Sequence, residues 1–164
     1  MAITAWSAIW FLPFVLPISI WAAWNDMKYM KIPNKAVVAL TLVFLIVGLI
    51  AIPIAEYPSR LLHLVVVLAI GFSLNLIGGV GAGDAKFAAA MAPFIARGDM
   101  QILLYLFASV LLAAVVTHRL AQRSRYLKNL APDWESWSRK DFPMGLALGG
   151  TLVFYLIGGL FYGA

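Results

Sequence analysis

This 164-residue sequence predicts an all-α integral membrane fold with about six transmembrane helices. Hydrophobic residues make up 63% of the chain and charged residues only 12%, more apolar surface than a soluble domain of this size can bury in one core. The mean hydropathy is +0.93. The apolar residues also fall in runs close to the length that crosses a bilayer, about 20 residues.

The runs are 3–24, 36–55, 61–78, 100–118 and 144–163, with a shorter one at 85–96. The first has no Lys or Arg before Lys28 and is longer than the apolar part of a signal peptide, so it reads as a retained membrane helix. Trp6 and Trp10 at one end and Trp21 and Trp24 at the other form two interfacial belts, and Pro13 and Pro17 are expected to kink it. The short run covers roughly 18 Å of a hydrocarbon core about 30 Å thick. Gly78-Gly79-Val80-Gly81-Ala82-Gly83 before it can dip into the membrane, because irregular backbone is tolerated there when protein or a water-filled cavity satisfies it. Six crossings follow, the fourth short and entered through this Gly-rich loop.

Charge sets the orientation. With six crossings, ten basic residues share one side: Lys28, Lys31, Lys35, Lys86, Arg119, Arg123, Arg125, Lys128, Arg139 and Lys140. Arg60 and Arg97 fall on the other. The positive-inside rule makes the crowded side cytoplasmic and puts both termini outside. A five-crossing chain would place the basic stretch after residue 118 opposite Lys28 and Lys31. The expected organisation is one polytopic domain, 1–164, with cytoplasmic loops at about 25–35, 79–84 and 119–143. The phospholipid bilayer is its first partner, and topology accounts for the net charge of +5 without nucleic acid.

Several chemistries are excluded. Without cysteine there is no disulfide, thiolate metal site or Cys nucleophile, and His63 and His118 have no metal-ligand spacing. No metal and no cofactor are expected.

Two carboxylates stand out in a chain that otherwise avoids charge. Asp26 closes the first span and is followed six residues later by Ile32-Pro33-Asn34; Asp84 opens the short fourth helix within Gly81-Ala82-Gly83-Asp84-Ala85-Lys86. The topology brings both to one membrane face, where a carboxylate pair suits acid/base chemistry on a membrane-held substrate. Close carboxylates resist double ionisation and share a proton, so one draws a proton from water while the other polarises a peptide carbonyl. Gly81 and Gly83 let a substrate strand approach Asp84, and the open amides at the helix start favour an anion there.

Asp-x5-Ile-Pro-Asn together with Gly-x-Gly-Asp-x-Lys resembles the bacterial type IV prepilin peptidases, membrane aspartic proteases of the Gly-x-Gly-Asp class. The likeness extends over essentially the whole chain in length and helix order. The short form is most similar to the peptidases of tight-adherence, or Flp-type, pilus systems. Pro143-Met144-Gly145 at the last helix resembles a Pro-aromatic-Gly of the family, with Met144 departing from it. The resemblance implies catalytic Asp26 and Asp84, supported by Gly81, Gly83, Lys86, Pro33 and Asn34. It implies residence in the bacterial cytoplasmic (inner) membrane and a prepilin or pseudopilin substrate with a transmembrane helix, cut after a glycine just before that helix. Longer members also methylate the new N-terminus; without an added cytoplasmic domain or a nucleotide-binding fingerprint, no methyltransferase activity is expected.

Other polar residues have plainer uses. Lys86 serves either to bias the aspartate pair or hold an acidic group, or as a snorkelling anchor; Lys28 and Lys31 read as anchors. Pro33 and Asn34 read as turn and N-cap of the second span, and Asp99 as the N-cap of the fifth. Ser73 and Asn75 suit polar contacts between helices, and His63 a structural role. Asp141, opening the last span, is the rival carboxylate. Leu120, Leu127 and Leu130 among arginines suggest a helix on the anionic inner leaflet, with Trp134 and Trp137 anchoring it or receiving substrate. Two functions of other classes remain, a proton or ion pathway and a non-catalytic pilus-assembly subunit. The pathway is disfavoured because no ionisable chain continues across the membrane.

Overall fold

Seven α-helices follow in chain order: α1 (Ala5–Tyr29), α2 (Asn34–Ala51), α3 (Tyr57–Leu76), α4 (Ala82–Met91), α5 (Met100–Arg123), α6 (Arg125–Leu130) and α7 (Met144–Tyr162). Short 3₁₀ turns at Ala92–Phe94 and Arg97–Asp99 join α4 to α5, and another at Glu135–Trp137 precedes α7. The computed structural model describes all 164 residues, is 80% helical and has no strand. Helices α1, α2, α3, α5 and α7 are long and apolar enough to cross a membrane. The fold is therefore a polytopic helical membrane protein, as its hydropathy requires.

Thr4 starts α1 by accepting the Ser7 amide at 3.1 Å, supplying the first turn with a missing partner. The helix runs without a break through Pro13 and Pro17 and on to Tyr29, so Asp26 stands in its last turns and the expected loop at 25–35 shrinks to Met30–Pro33. Met30 ends it in a left-handed conformation (φ 51°), its amide donating to the Asp26 carbonyl at 2.9 Å.

Helix α1 lies between α2 and α7, while α4 is surrounded by α2, α3 and α7. Phe11, Phe44 and Phe94 are fully buried at the centre, with Tyr57 stacked on Phe44 at 5.4 Å between ring centres. Small residues bring the backbones together. A Cβ on Gly149 would sit 3.0 Å from the Ser19 carbonyl, and one on Gly71 only 2.9 Å from the Ala85 Cβ.

A hydrogen-bonded cluster marks one end of the bundle. At the start of α1 the buried Asp99 carboxylate accepts from the Ala2 and Ile3 amides at 2.7 and 2.9 Å and from the Tyr155 hydroxyl at 2.7 Å. Asp99 occupies the N-cap position of α5 but makes no capping bond; three donors from distant segments are stronger partners for a charge. The opposite end holds Asp26 and Asp84. Residues 82–99 consequently run from one end of the bundle to the other, although α4 itself spans only about 15 Å.

Other expectations need revision. Pro33, not Asn34, is the N-cap of α2, and no side chain caps that helix. Ser73 donates back to the Ala69 carbonyl of its own helix, and Asn75 donates to the Val80 carbonyl at 2.8 Å, fastening the Gly-rich loop rather than a neighbouring helix. The stretch 119–131 divides between the end of α5 and the short α6, because Ser124 breaks the helix and caps the next one.

Candidate active site

Where α1 ends and α4 and α7 begin, a cavity of about 860 Å³ opens between the 30–34 turn, the Gly-rich loop and the strand of chain before α7. Asp26 and Asp84 both line it, as do Gly81, Gly83, Lys86, Pro33 and Asn34. Asp26 with residues 30–34, and residues 79–84 with Lys86, separated by two membrane helices in sequence, thus line one cavity.

The two carboxylates are held differently. Asp26 is 5% exposed, and its Oδ2 accepts the Gly145 amide at 2.6 Å. Helix α7 has Pro33's counterpart at its start, Pro143, an N-cap with no side chain to offer the open amides. Asp26 satisfies one of those amides from another helix. A Cβ on Gly145 would stand 2.9 Å from the Asp26 Cβ and 3.0 Å from Oδ2, so only glycine permits this approach.

Asp84 lies in the first turn of α4 and is half-buried. Its carboxylate folds back over Gly81, where a Cβ would be 2.6 Å from Oδ2. Gly83 packs on Ile32, its Cβ direction 3.5 Å from that side chain, which seats α4 on the turn between α1 and α2. Lys86 Nζ donates to Asn34 Oδ1 at 3.4 Å, a bond from α4 to the first residue of α2. Lys86 forms no ion pair; the two ion pairs of the structure are Arg60–Glu56 and Arg139–Glu135.

Asp141 lines the same cavity but is exposed on the chain entering α7. Arg139 and Met144 line it too, and Gly145 holds Asp26; the sequence singled out Pro143-Met144-Gly145 without a structural task for it. A helix starting after proline with no capping side chain leaves amides in want of an acceptor, and that was the signal. His63 lies in α3 and lines neither this cavity nor the second one described below.

The model of the type IV leader peptidase family matches residues 2–118. The chain belongs to this family. No curated protein sequence and no solved structure matches it. The part matched to the leader peptidase family contains Asp26, the 30–34 turn, the Gly-rich loop and Asp84, and ends before the connection to α7. Family membership makes the chain a protease of the prepilin type, with a prepilin as the class of substrate.

Proposed function

We propose that the chain is a membrane-embedded aspartic endopeptidase in which Asp26 and Asp84 together activate water to remove the leader of a prepilin-like, Flp-type protein. The observation that carries this reading is the meeting of the two aspartates, from α1 and α4, at one cavity in a chain of the leader peptidase family. A water between the carboxylates gives a proton to the ionised one and attacks the peptide carbonyl, which the protonated partner polarises. That partner's proton then reaches the leaving amine, and no covalent intermediate is needed. The Gly145 amide occupies Oδ2 of Asp26, which leaves Oδ1 for the water in this mechanism. Gly81 and Gly83 keep the approach to Asp84 free of side chains.

Six crossings, with residues 82–99 as the fourth, put this cavity on the cytoplasmic side of the bacterial inner membrane and the termini outside, in accord with the positive-inside rule. A substrate whose helix already lies in the bilayer reaches the cavity by lateral diffusion. The leader is cut in front of that helix, and the product is released without methylation.

The test is cleavage of a co-expressed Flp-type prepilin, read by N-terminal sequencing of the product, for wild type, Asp26→Asn and Asp84→Asn at equal membrane abundance. Loss of processing in both variants is expected. Processing that persists in either removes that residue from the mechanism. Ion flux that responds to membrane potential and survives without cleavage would favour the proton-pathway reading.

A further inference from the structure

A second cavity, of about 350 Å³, lies beside the last turns of α1 and α5 under α6. Its walls are mostly apolar: Trp24 and Met27 from α1, Leu127 and Leu130 from α6, and Trp134 and Trp137 from the connection to α7. The indoles pack on one another, Trp24 on Trp134 edge to face at 5.1 Å and Trp134 on Trp137 in a stack at 5.3 Å.

Three further features suit a particular guest. His118, 2% exposed, lines the cavity stacked on Trp137, and neither of its ring nitrogens has a hydrogen-bond partner. A buried imidazole with an unspent donor and acceptor is costly unless something supplies them. Arg123, Arg125 and Lys128, around the junction of α5 and α6, are exposed and form no ion pair. Helix α6 buries none of its residues: Leu127 and Leu130 leave apolar surface exposed on the cavity wall, and Tyr126 beside them is exposed. An apolar slot, an unspent polar group at its wall and free cations outside it match hydrocarbon, ester and phosphate in turn.

We propose that this cavity holds an acyl chain of an anionic phospholipid, whose ester carbonyl meets His118 and whose phosphate meets Arg123, Arg125 and Lys128. Basic residues beside an aromatic-lined recess at the membrane interface recognise such headgroups by charge. The site is separate from the aspartate cavity and does not depend on the peptidase reading, yet the two are joined. Phe142 contacts the His118 ring and lines the first cavity, and Arg119 Nη2 donates to the Lys140 carbonyl at 2.9 Å. A lipid in the second cavity therefore braces the segment that walls the first.

The test is native mass spectrometry of the purified full chain with dioleoyl phosphatidylglycerol or dioleoyl phosphatidylcholine. Wild type should retain one phosphatidylglycerol at least about fivefold more than phosphatidylcholine, the gain that one basic residue near an anionic group provides. R123Q/R125Q/K128Q, altered only on the surface, should bring the two lipids level. Ala121 also lines the cavity, and Ala121→Trp, which fills it, should reduce retention of both. An ether-linked phosphatidylglycerol should bind more weakly than the ester-linked one to wild type, and equally to His118→Phe. Equal retention of the two lipids by wild type, or a preference that survives the triple substitution, overturns the proposal. So does uptake of a synthetic apolar helix in place of lipid regardless of the three substitutions, which would assign the cavity to a protein segment.

Discussion

The Gly145 amide donates to Oδ2 of Asp26 at 2.6 Å, so the first turn of α7 holds a carboxylate that belongs to α1. Gly145→Ala would place a methyl group 2.9 Å from the Asp26 Cβ and 3.3 Å from the Ala22 carbonyl. The side chain must move, and if Asp26 reacts as proposed, a shift of about 1 Å there costs on the order of a hundredfold in rate. Cleavage of a prepilin by Gly145→Ala should fall by about that factor, measured as initial rate in detergent beside a thermal melt that reports how much protein is folded.

Rate against pH should pass through a maximum. In the proposed two-aspartate mechanism, both carboxylates are protonated below it and no base remains, while above it both are ionised and no acid remains. A cleavage profile from pH 4 to 10, roughly the range over which carboxylates and their perturbed forms titrate, should show two limbs. A rate that rises to a plateau with no alkaline fall would mean that one carboxylate suffices.

Asp141 faces the same cavity from an exposed loop and lacks the buried hydrogen bond that fixes Asp26. Asp141→Asn should therefore keep cleavage within about tenfold of wild type, far above the 10²-fold or greater losses typical of a missing acid or base. A loss as deep as that of Asp26→Asn would promote Asp141 into the dyad.

At the other end of the bundle, Tyr155→Phe removes one donor from Asp99 and leaves the buried Ala96 amide without its acceptor. The cost should be about 1–3 kcal/mol for unsatisfied buried groups, visible as a lower melting temperature in detergent. Cleavage per folded molecule should not change, because Tyr155 and Asp99 lie a helix length from the aspartate cavity.

Gly71 carries the contact between α3 and α4, where a Cβ would stand 2.9 Å from that of Ala85. Gly71→Leu should push α4 from α3 and displace Asp84, the residue preceding Ala85. Both stability and cleavage should fall, in contrast to Tyr155→Phe, and a variant with unchanged cleavage would separate Asp84 from this packing.

Hydropathy made the five long helices legible, because lipid demands uninterrupted apolar runs. The seven residues chosen from the two motifs line a single cavity, since the alternation of crossings brings residue 26 and residue 84 to the same end. Details governed by tertiary partners were not legible. Asp99 reads as a cap in sequence, and only folding shows that the Ala2 and Ile3 amides and the Tyr155 hydroxyl claim it. The same holds for Asn34, which faces Lys86 instead of its own helix, and for Gly145, whose partner lies on the first helix.

Helix α7 packs more extensively on α1 than on any other element, and the Met1 ammonium donates to the Tyr162 carbonyl. The earliest of these seven helices to leave the ribosome thus waits for the latest. Until residue 145 arrives, Asp26 has no amide to hold it. A chain that has not yet reached α7 therefore carries the Asp26 carboxylate without its one hydrogen-bond donor.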